Sequence, residues 1–586
     1  MMGELCCCAP DSAYNSCEDV DAAISHFRGR LRSLITRRNA LVPINSRLPR
    51  EILCEIFLQL ASVCLFGTGG SQPVLDDRPS PSSDTESAAA TRIDYTTKYA
   101  WLAITHVCRY WRDIARAFPN LWSLIVIFPH WHHPRTVYID ELLRLSKQAP
   151  LTIQHGYTSP CMMPYSMLDE MHRIRDLQIF VQNANNWSKL GKSFSNAPLL
   201  ERLDVTMSRD SVDTTWYMEY AANAPKLREL SLCRTSPAML QALASSTLVK
   251  LHVAFLTPPS GPLTDLLLRL PLLEELHLHE AFASIPDQAA SAMIPLPRLR
   301  SLRLTHILNR GWEASANLLA SLVVPSTVKI YFQGDASVEY FDDYESVYRS
   351  IASIISDDSL GPSQQPVACH AQDKGRTLTL SMWSKKISMH ELDTFETESG
   401  AEGQVTIAWR GEHRGVAFHA LLVYFPLPTL RLLHLNDIST YDDTWWTLAQ
   451  AQNLREIKIG PHDIAVELVN ALQSPPPPPD ELPDGHPPFS SHLFPNLEAL
   501  TLRSVKWNTH TYSAERVQPV VVDVEAMLTS RRSHGVPLKR LYLENGINTH
   551  TDEMDRLRDS GGLERFLWDS KGGVDYEKSC DDCNTK

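Results

Sequence analysis

His130, His132 and His133 offer imidazoles of the kind that ligate transition metals. Neighbours this close in sequence cannot all converge on one ion, and no cysteine or carboxylate follows at ligand spacing. Cys580 and Cys583 form a single Cys-x-x-Cys pair in a polar stretch. Without a second pair they make neither a zinc site nor a redox motif. Gly67, Thr68, Gly69 and Gly70 lack the lysine that would turn a glycine-rich run into a phosphate cradle. No serine elbow, paired-histidine zinc helix or dinucleotide fingerprint is present. Asn186, Trp187 and Ser188 match a glycosylation sequon, which has no role in an intracellular chain. The sequence therefore predicts no enzyme, no metal and no cofactor. What remains is recognition by surfaces.

Two stretches with helical periodicity can supply such a surface. In the first, Pro49 falls at an early helical position where its missing N–H costs nothing, and Glu51 lies in the positive first turn. Ile52, Leu53, Ile56, Phe57 and Leu60 then form one apolar stripe. In the second, Ile104, Val107, Cys108, Trp111, Ile114 and Ala115 repeat that spacing. Helices this short cannot bury both stripes against each other and also shield them from water. The surplus predicts a docking surface made of Leu48, Pro49, Ile52, Leu53, Ile56, Phe57, Val107, Cys108 and Trp111.

These residues carry a specific likeness. Leu48, Pro49, Glu51, Ile52, Leu53, Ile56, Phe57 and Leu60, then Val107, Cys108, Arg109, Trp111, Arg112, Ile114 and Ala115, closed by Leu121 and Trp122, resemble an F-box. More narrowly they resemble the F-box-like proteins abundant in mushroom-forming fungi, in which a phrase like Arg38 to Asn45 precedes the motif. The resemblance implies that this module binds a Skp-type adaptor and through it a cullin, while the rest of the chain captures a protein substrate. One departure is the insert at about 66–92, rich in Gly, Ser, Pro and acidic residues, where family members have a shorter connection. Its composition reads as a mobile loop, and loop-closure entropy grows slowly with length, so the box can still close.

Composition sets the wider bounds. The chain has 586 residues, 43% hydrophobic and 21% charged, as expected of a folded protein. No apolar run is long enough to span a bilayer, and the first residues lack a basic region followed by an apolar core. Twelve scattered cysteines fit reduced thiols, so the expected location is cytoplasmic or nuclear, with no membrane partner. The formal charge is −13, which argues against nucleic acid as the main partner. Residues 26–60 run the other way, with seven arginines against two glutamates, a net of +5. Such a block reads as a solvated helical face, with the footprint of a nucleic acid or acidic partner as the alternative.

Val20, Ile24, Phe27, Leu31, Leu34 and Leu41 alternate four and three apart, with Arg38 in the series, as in a coiled-coil seam. The run is under four heptads. It predicts an amphipathic helix over 18–42 that lies against the F-box, after an N-terminus at 1–17 whose Cys6, Cys7 and Cys8 are free thiols; self-association is the minor alternative.

Beyond residue 170 a phrase recurs, ending at Val205, Leu232, Val253, Leu278 and Leu304, at intervals of 27, 21, 25 and 26. It returns with ends at Leu435, Ile459, Leu502 and Leu543, and strand-like fragments lie at 327–332, 376–381 and 404–409. A period in the twenties marks a leucine-rich repeat. The expected fold class is thus α/β: an N-terminal all-α F-box over 43–125, a linking segment at 126–170 and an irregular repeat array over 171–570, with a tail at 571–586. Insertions are expected at about 334–373, with a helix-like core and flexible ends, and at 474–490, where a polyproline run reads as a stiff solvated loop.

In this phrase the leucines point into a shared core and the residues between them alternate onto the open sheet face. That face is expected to hold the substrate through Arg202, Asp204, Glu229, Ser231, Glu275, His277, His279, Arg303, His434, Asn436, Glu456, Lys458, Arg540 and Tyr542. His277 and His279 would make it sensitive to pH near their ordinary range if exposed. The Asn or Cys of regular repeats is absent at Ser208, Thr235, Ala281 and Ile307, so a wide, irregular array is expected. Three functions compete: a substrate receptor of an SCF-type ubiquitin ligase, an adaptor-binding scaffold without ligase role, and an enzyme in which strands and helices close into a barrel.

Overall fold

Ser16 accepts a hydrogen bond from the Asp19 amide at 3.1 Å and so starts the first helix, α1 (Cys17–Leu41). In this computed structural model the described residues are 16–66, 99–127, 136–155, 165–181, 190–208, 224–256, 263–281, 293–307, 312–325, 327–335, 341–355, 366–375, 377–384, 387–388, 403–410, 414–438, 442–473, 492–505, 507, 520–546, 551–560 and 562–569. The cysteine triplet, most of the insert at 66–92, the histidines at 130–133, the sequon, the polyproline run and the Cys580–Cys583 pair lie outside them. The chain divides into two units, Met1–Ser211 with Met218–Leu227, and Val212–Tyr217 with Arg228–Lys586.

The first unit continues through α2 (Pro43–Arg47), α3 (Arg50–Phe66), α4 (Ile104–Val107), α5 (Arg109–Ala117) and α6 (Pro119–Trp122). Its helical core is aromatic: Trp101 and Trp122 meet edge to face at 5.5 Å, and the Trp122 indole donates to the Ala115 carbonyl at 2.7 Å. Four parallel strands follow, β1 (Leu124–Ile127), β2 (Leu151–His155), β3 (Ile174–Val181) and β4 (Arg202–Met207), paired in that order. The sheet therefore begins at Leu124, at the end of the stretch that sequence reads as F-box over 43–125, and continues through the one read as a link over 126–170. Neither β1 nor β2 contains the leucine phrase, so a search by period passes over both. The long amphipathic helix differs as well. It meets α2 at its end, through the Asn39 carbonyl and Asn45, but none of its residues is buried.

In the second unit each leucine phrase becomes a short strand. The strands of this unit are β5 (Glu229–Cys233), β6 (Lys250–Ala254), β7 (Glu275–His279), a two-residue β8 (Ile294–Pro295), β9 (Ser301–Ile307), a two-residue β10 (Leu322–Val323), β11 (Lys329–Asp335), β12 (Ala368–Asp373), β13 (Thr377–Trp383), β14 (Val405–Arg410), β15 (Leu432–Asn436), β16 (Glu456–Gly460), β17 (Ala499–Arg503), β18 (Arg540–Glu544) and β19 (Arg565–Trp568). The phrase leucines are in register, with Leu230 beside Leu251, Leu276 and Leu302 in turn, all buried. Helices between strands cover that face; Ile464, Ala465, Leu468, Val469 and Leu472 of the helix His462–Gln473 are buried.

Parallel pairing runs β5, β6, β7, β9, β11, β14 and again from β12 through β15, β16, β17 and β18 to β19. Between the two runs the order reverses: β12, β13 and β14 form an antiparallel meander. The region expected as an insertion at 334–373 is thus corrected. Gly334 and Asp335 end β11, Phe341–Ile355 is a helix, and β12 is a full strand whose polar sequence hides it from a leucine search.

The missing Asn or Cys is replaced by a backbone device. Directly after six strands, Arg234, Phe255, Glu280, Asp437, Ser504 and Asn545 take φ between 44 and 58. Such a left-handed residue turns its own amide sideways, and those of Arg234, Phe255, Asp437 and Ser504 donate to the neighbouring strand at 2.8, 2.9, 2.8 and 2.8 Å. A main-chain donor thus satisfies the repeat edge where regular families use a side chain.

Gly334 fixes one close approach. A Cβ there would run into the ring of Trp312, which is fully buried. Gly334→Ala is expected to cost on the order of 1–3 kcal/mol through overpacking. Chemical denaturation of the two proteins checks it; equal midpoints would mean that the indole can move aside.

Candidate functional site

The surface offered by α3, α4 and α5 is a consequence of α3 being apolar on more than one side. Leu53, Phe57, Ala61 and Leu65 recur every four residues and are buried. Phe57 packs on the Trp111 ring at 5.1 Å. Ile52, Ile56, Leu60 and Val63 form a second line that faces out, with Ile52 48% and Ile56 45% exposed. Val107, 57% exposed at the end of α4, and Tyr110 on α5 are also exposed.

The expected docking set therefore splits. Ile52, Ile56 and Val107 are presented, Pro49 is exposed, and Leu48 and Trp111 are half-buried. Leu53, Phe57 and Cys108 are not leftover surface, because they fill the core beneath. Cys108 also caps α5, its Sγ accepting from the Trp111 amide at 3.4 Å. Trp111 is held by its indole, which donates to Asn45 Oδ1 at 2.6 Å, while Asn45 Nδ2 donates to the Asn39 carbonyl at 2.7 Å. Leu60, part of the stripe but not of the expected docking set, joins the surface together with Val63 and Tyr110, which sequence does not single out. Leu60 and Val63 extend the Ile52 line by further turns, a signal that treating α3 as a single stripe conceals.

The first unit also holds Arg202 and Asp204 on β4. Arg202 forms a fork on Asp176, with Nε and Nη2 each 2.8 Å from a carboxylate oxygen. Burial would raise the Asp176 pKa, but Arg202, Arg175 and Thr152 together hold it below the usual carboxylate range. Asp204 accepts from Gln178 at 3.2 Å.

On the second unit's sheet the residues between leucines line up in rows. Glu229, Lys250 and Glu275 are in register, with the Lys250 ammonium 3.7 and 3.2 Å from the two carboxylates. The next row is Ser231, His252, His277, Arg303 and Tyr331, in which Arg303 lies 5.5 Å over the tyrosine ring. His252 and His277 stack at 4.2 Å with planes 2° apart. His277 Nε2 and His279 Nδ1 both meet Thr305 Oγ1, at 3.0 and 2.9 Å.

The condition for pH sensitivity near the ordinary histidine range, exposure of both rings, is not met, since His277 is half-buried. Burial, then the charges of His252, Arg303 and His279, push the His277 pKa down to about 2; burial alone takes His252 to about 4. His279 is itself buried.

Farther along, His370, His434, Lys458, Thr501 and Tyr542 form another row. His434 and Lys458 do not present themselves to a partner, each being 1% exposed. The same face carries a buried cluster of Ala368, Trp383, Ile387 and Leu432, so the sheet is not open there. Burial, then His370, Lys458 and Arg503, push His434 to about 2. Lys458 reaches Glu544 at 2.7 Å, and Glu456 pairs with Arg540 at 3.0 Å. Asn436 and Tyr542 remain partly exposed. Lys250, His252 and Tyr331 belong to these rows but were missed, although Lys250 and His252 follow the same two-residue period.

No family model matches the chain, and no curated protein matches it. Among solved structures, a leucine-rich repeat protein of Leptospira interrogans is similar over 75% of this chain and 96% of that chain, at 14% identity and a TM-score of 0.28. That score carries no argument about fold or function; the strands and their registers stand on their own. Among the described residues no helix is long and apolar enough to cross a membrane.

Proposed function

We propose that this chain is a substrate-receptor subunit of an SCF-type ubiquitin ligase, docking a Skp-type adaptor on the first unit and a protein substrate on the repeat face. The observation that carries the reading is the exposed line Ile52, Ile56, Leu60 and Val63 with Val107 and Tyr110, on helices whose core is already filled by Leu53, Phe57 and Trp101. Apolar side chains left over beside a complete core mark an interaction surface. They coincide with the F-box-like motif.

The scaffold reading shares the adaptor contact and differs only in whether a cullin is then recruited. Affinity purification of the full chain separates the two: adaptor together with cullin supports the receptor, and adaptor alone supports the scaffold. Within the second unit, no pairing among the described residues joins β19 back to β5, as a closed barrel of this unit would require.

For substrate capture, the mixed charges at Glu275, Arg303, Glu456 and Arg540 favour a protein partner over a nucleic-acid backbone. Arg303→Glu with Arg540→Glu is expected to weaken the partner recovered by proximity labelling at least about tenfold, the loss of one strong polar contact. Unchanged affinity, with binding lost instead by changes on the covering helices, would move capture to the other face.

A further inference from the structure

Helix α1 is 25 residues long and buries none of them, although its seam is apolar. Leu31 and Leu34 are each 58% exposed, and Val20, Ile24, Phe27 and Leu41 are exposed as well. A helix in water draws most of its stability from packing such a face, and Gly29 at its middle weakens it further. The seam alternates four and three, the heptad spacing of a two-stranded coil rather than the wider stripe of a helix lying on a globular core. What covers it is indicated by charge. Glu18, Asp19 and Asp21 cluster at the start, whereas Arg28, Arg30, Arg32, Arg37 and Arg38 follow from the middle onward. Each end of the helix therefore complements the other end of an identical helix.

We infer that α1 pairs antiparallel with α1 of a second copy of this chain. The heptad places Cys17, Ile24, Leu31 and Arg38 at one seam position and Val20, Phe27, Leu34 and Leu41 at the other. In an antiparallel pair these alternate across the seam. Phe27 then faces the partner's Leu31, Ile24 faces the partner's Leu34, Val20 faces the partner's Arg38, and Cys17 faces the partner's Leu41. Asp21 comes level with the partner's Arg37, so the acidic start of each helix lies along the basic end of the other. A parallel pair would instead set Arg38 against its own copy inside the seam. Antiparallel pairing separates those two guanidinium groups by roughly 27 Å along the axis, beyond the screening length of about 8 Å at physiological salt. The inference does not depend on the ligase reading, because α1 is outside the proposed adaptor surface.

The test uses the full chain in two measurements. Sedimentation equilibrium across the micromolar range is expected to show a dimer, and Leu31→Glu with Leu34→Glu is expected to weaken it at least about 100-fold. Both side chains point away from the chain's own core, so the thermal melt should not move. In a background with Cys6→Ser, Cys7→Ser and Cys8→Ser, oxidation should join Cys17 of one copy to the cysteine introduced by Leu41→Cys in the other. A monomer at all concentrations, a dimer indifferent to the glutamates, or a link between the two copies of Cys17 would overturn the proposal. So would loss of a co-purified acidic protein, rather than of self-association, on introducing the glutamates.

Discussion

Ile52→Glu combined with Ile56→Glu is expected to abolish capture of a Skp-type adaptor while leaving the melting curve of the chain in place. Both side chains stand about half in solvent in the free protein, so charging them costs the fold little. In a docked state each would forfeit about 1.5–3 kcal/mol of apolar burial, and the pair therefore about two to four decades of affinity before any cost of burying a carboxylate. The neighbouring positions should behave in the opposite way. Leu53→Ala is expected to cost roughly 2–5 kcal/mol and Phe57→Ala roughly 3–5 kcal/mol of stability, because both fill the core against Trp111 and its neighbours. Pull-down and thermal denaturation of these variants check both halves. Retained adaptor binding by the glutamate pair would remove the F-box assignment altogether.

Acid is expected to weaken the second unit well before carboxylates titrate. His252, His277 and His434 stay neutral in the folded chain because their pKa values are pushed to about 4, 2 and 2. In the unfolded chain they protonate near 6.5, so below that pH the unfolded state binds more protons and stability falls with pH. For His252 the loss runs from about pH 6.5 down to 4, and for the other two it continues to about 2. Each can remove up to about 2 kcal/mol by pH 5, at about 1.4 kcal/mol per pH unit. Urea midpoints measured between pH 7 and 5 should decline steeply for the wild type. The slope should lessen for His277→Gln and for His434→Gln. Midpoints that do not move over that range would contradict the burial of these rings.

The leucine phrases made most of the sheet legible, because a residue type, a two-residue period and a spacing in the twenties all point to the same face. Leu203, Leu230, Leu276, Leu302, Leu433 and Leu541 are buried as that pattern requires. The strands that escaped are those whose burial depends on partners rather than on leucine. β1 and β2 are short, and β12 carries Cys369, His370 and Gln372, which read as polar until β13 folds back on them. At the candidate surface, composition marked the right helices but not their rotation. Periodicity finds that α3 has apolar residues at four-residue steps; it does not say which of the Ile52 and Leu53 lines the tryptophans will take. On the repeat face, alternation placed His434 and Lys458 correctly relative to the sheet. That both are 1% exposed is not written in the alternation, which gives a residue's side of the sheet and not what lies over it.

The meander of β12, β13 and β14 also governs the order in which the second unit can assemble. In an array of nearest neighbours each new strand finds its template already made, so structure can grow in step with synthesis. Here Ile330 of β11 waits for Val405, 75 positions later, and β12, completed in between, has no finished parallel neighbour until Leu432 is made. The strands up to β11 can form as the chain emerges, and those after β15 can add one by one. The middle must close as a block, against a larger loop entropy and therefore more slowly. Deleting one outer repeat shortens the array. Deleting any of these three strands cuts it in two, so completion of the whole unit hangs on the meander.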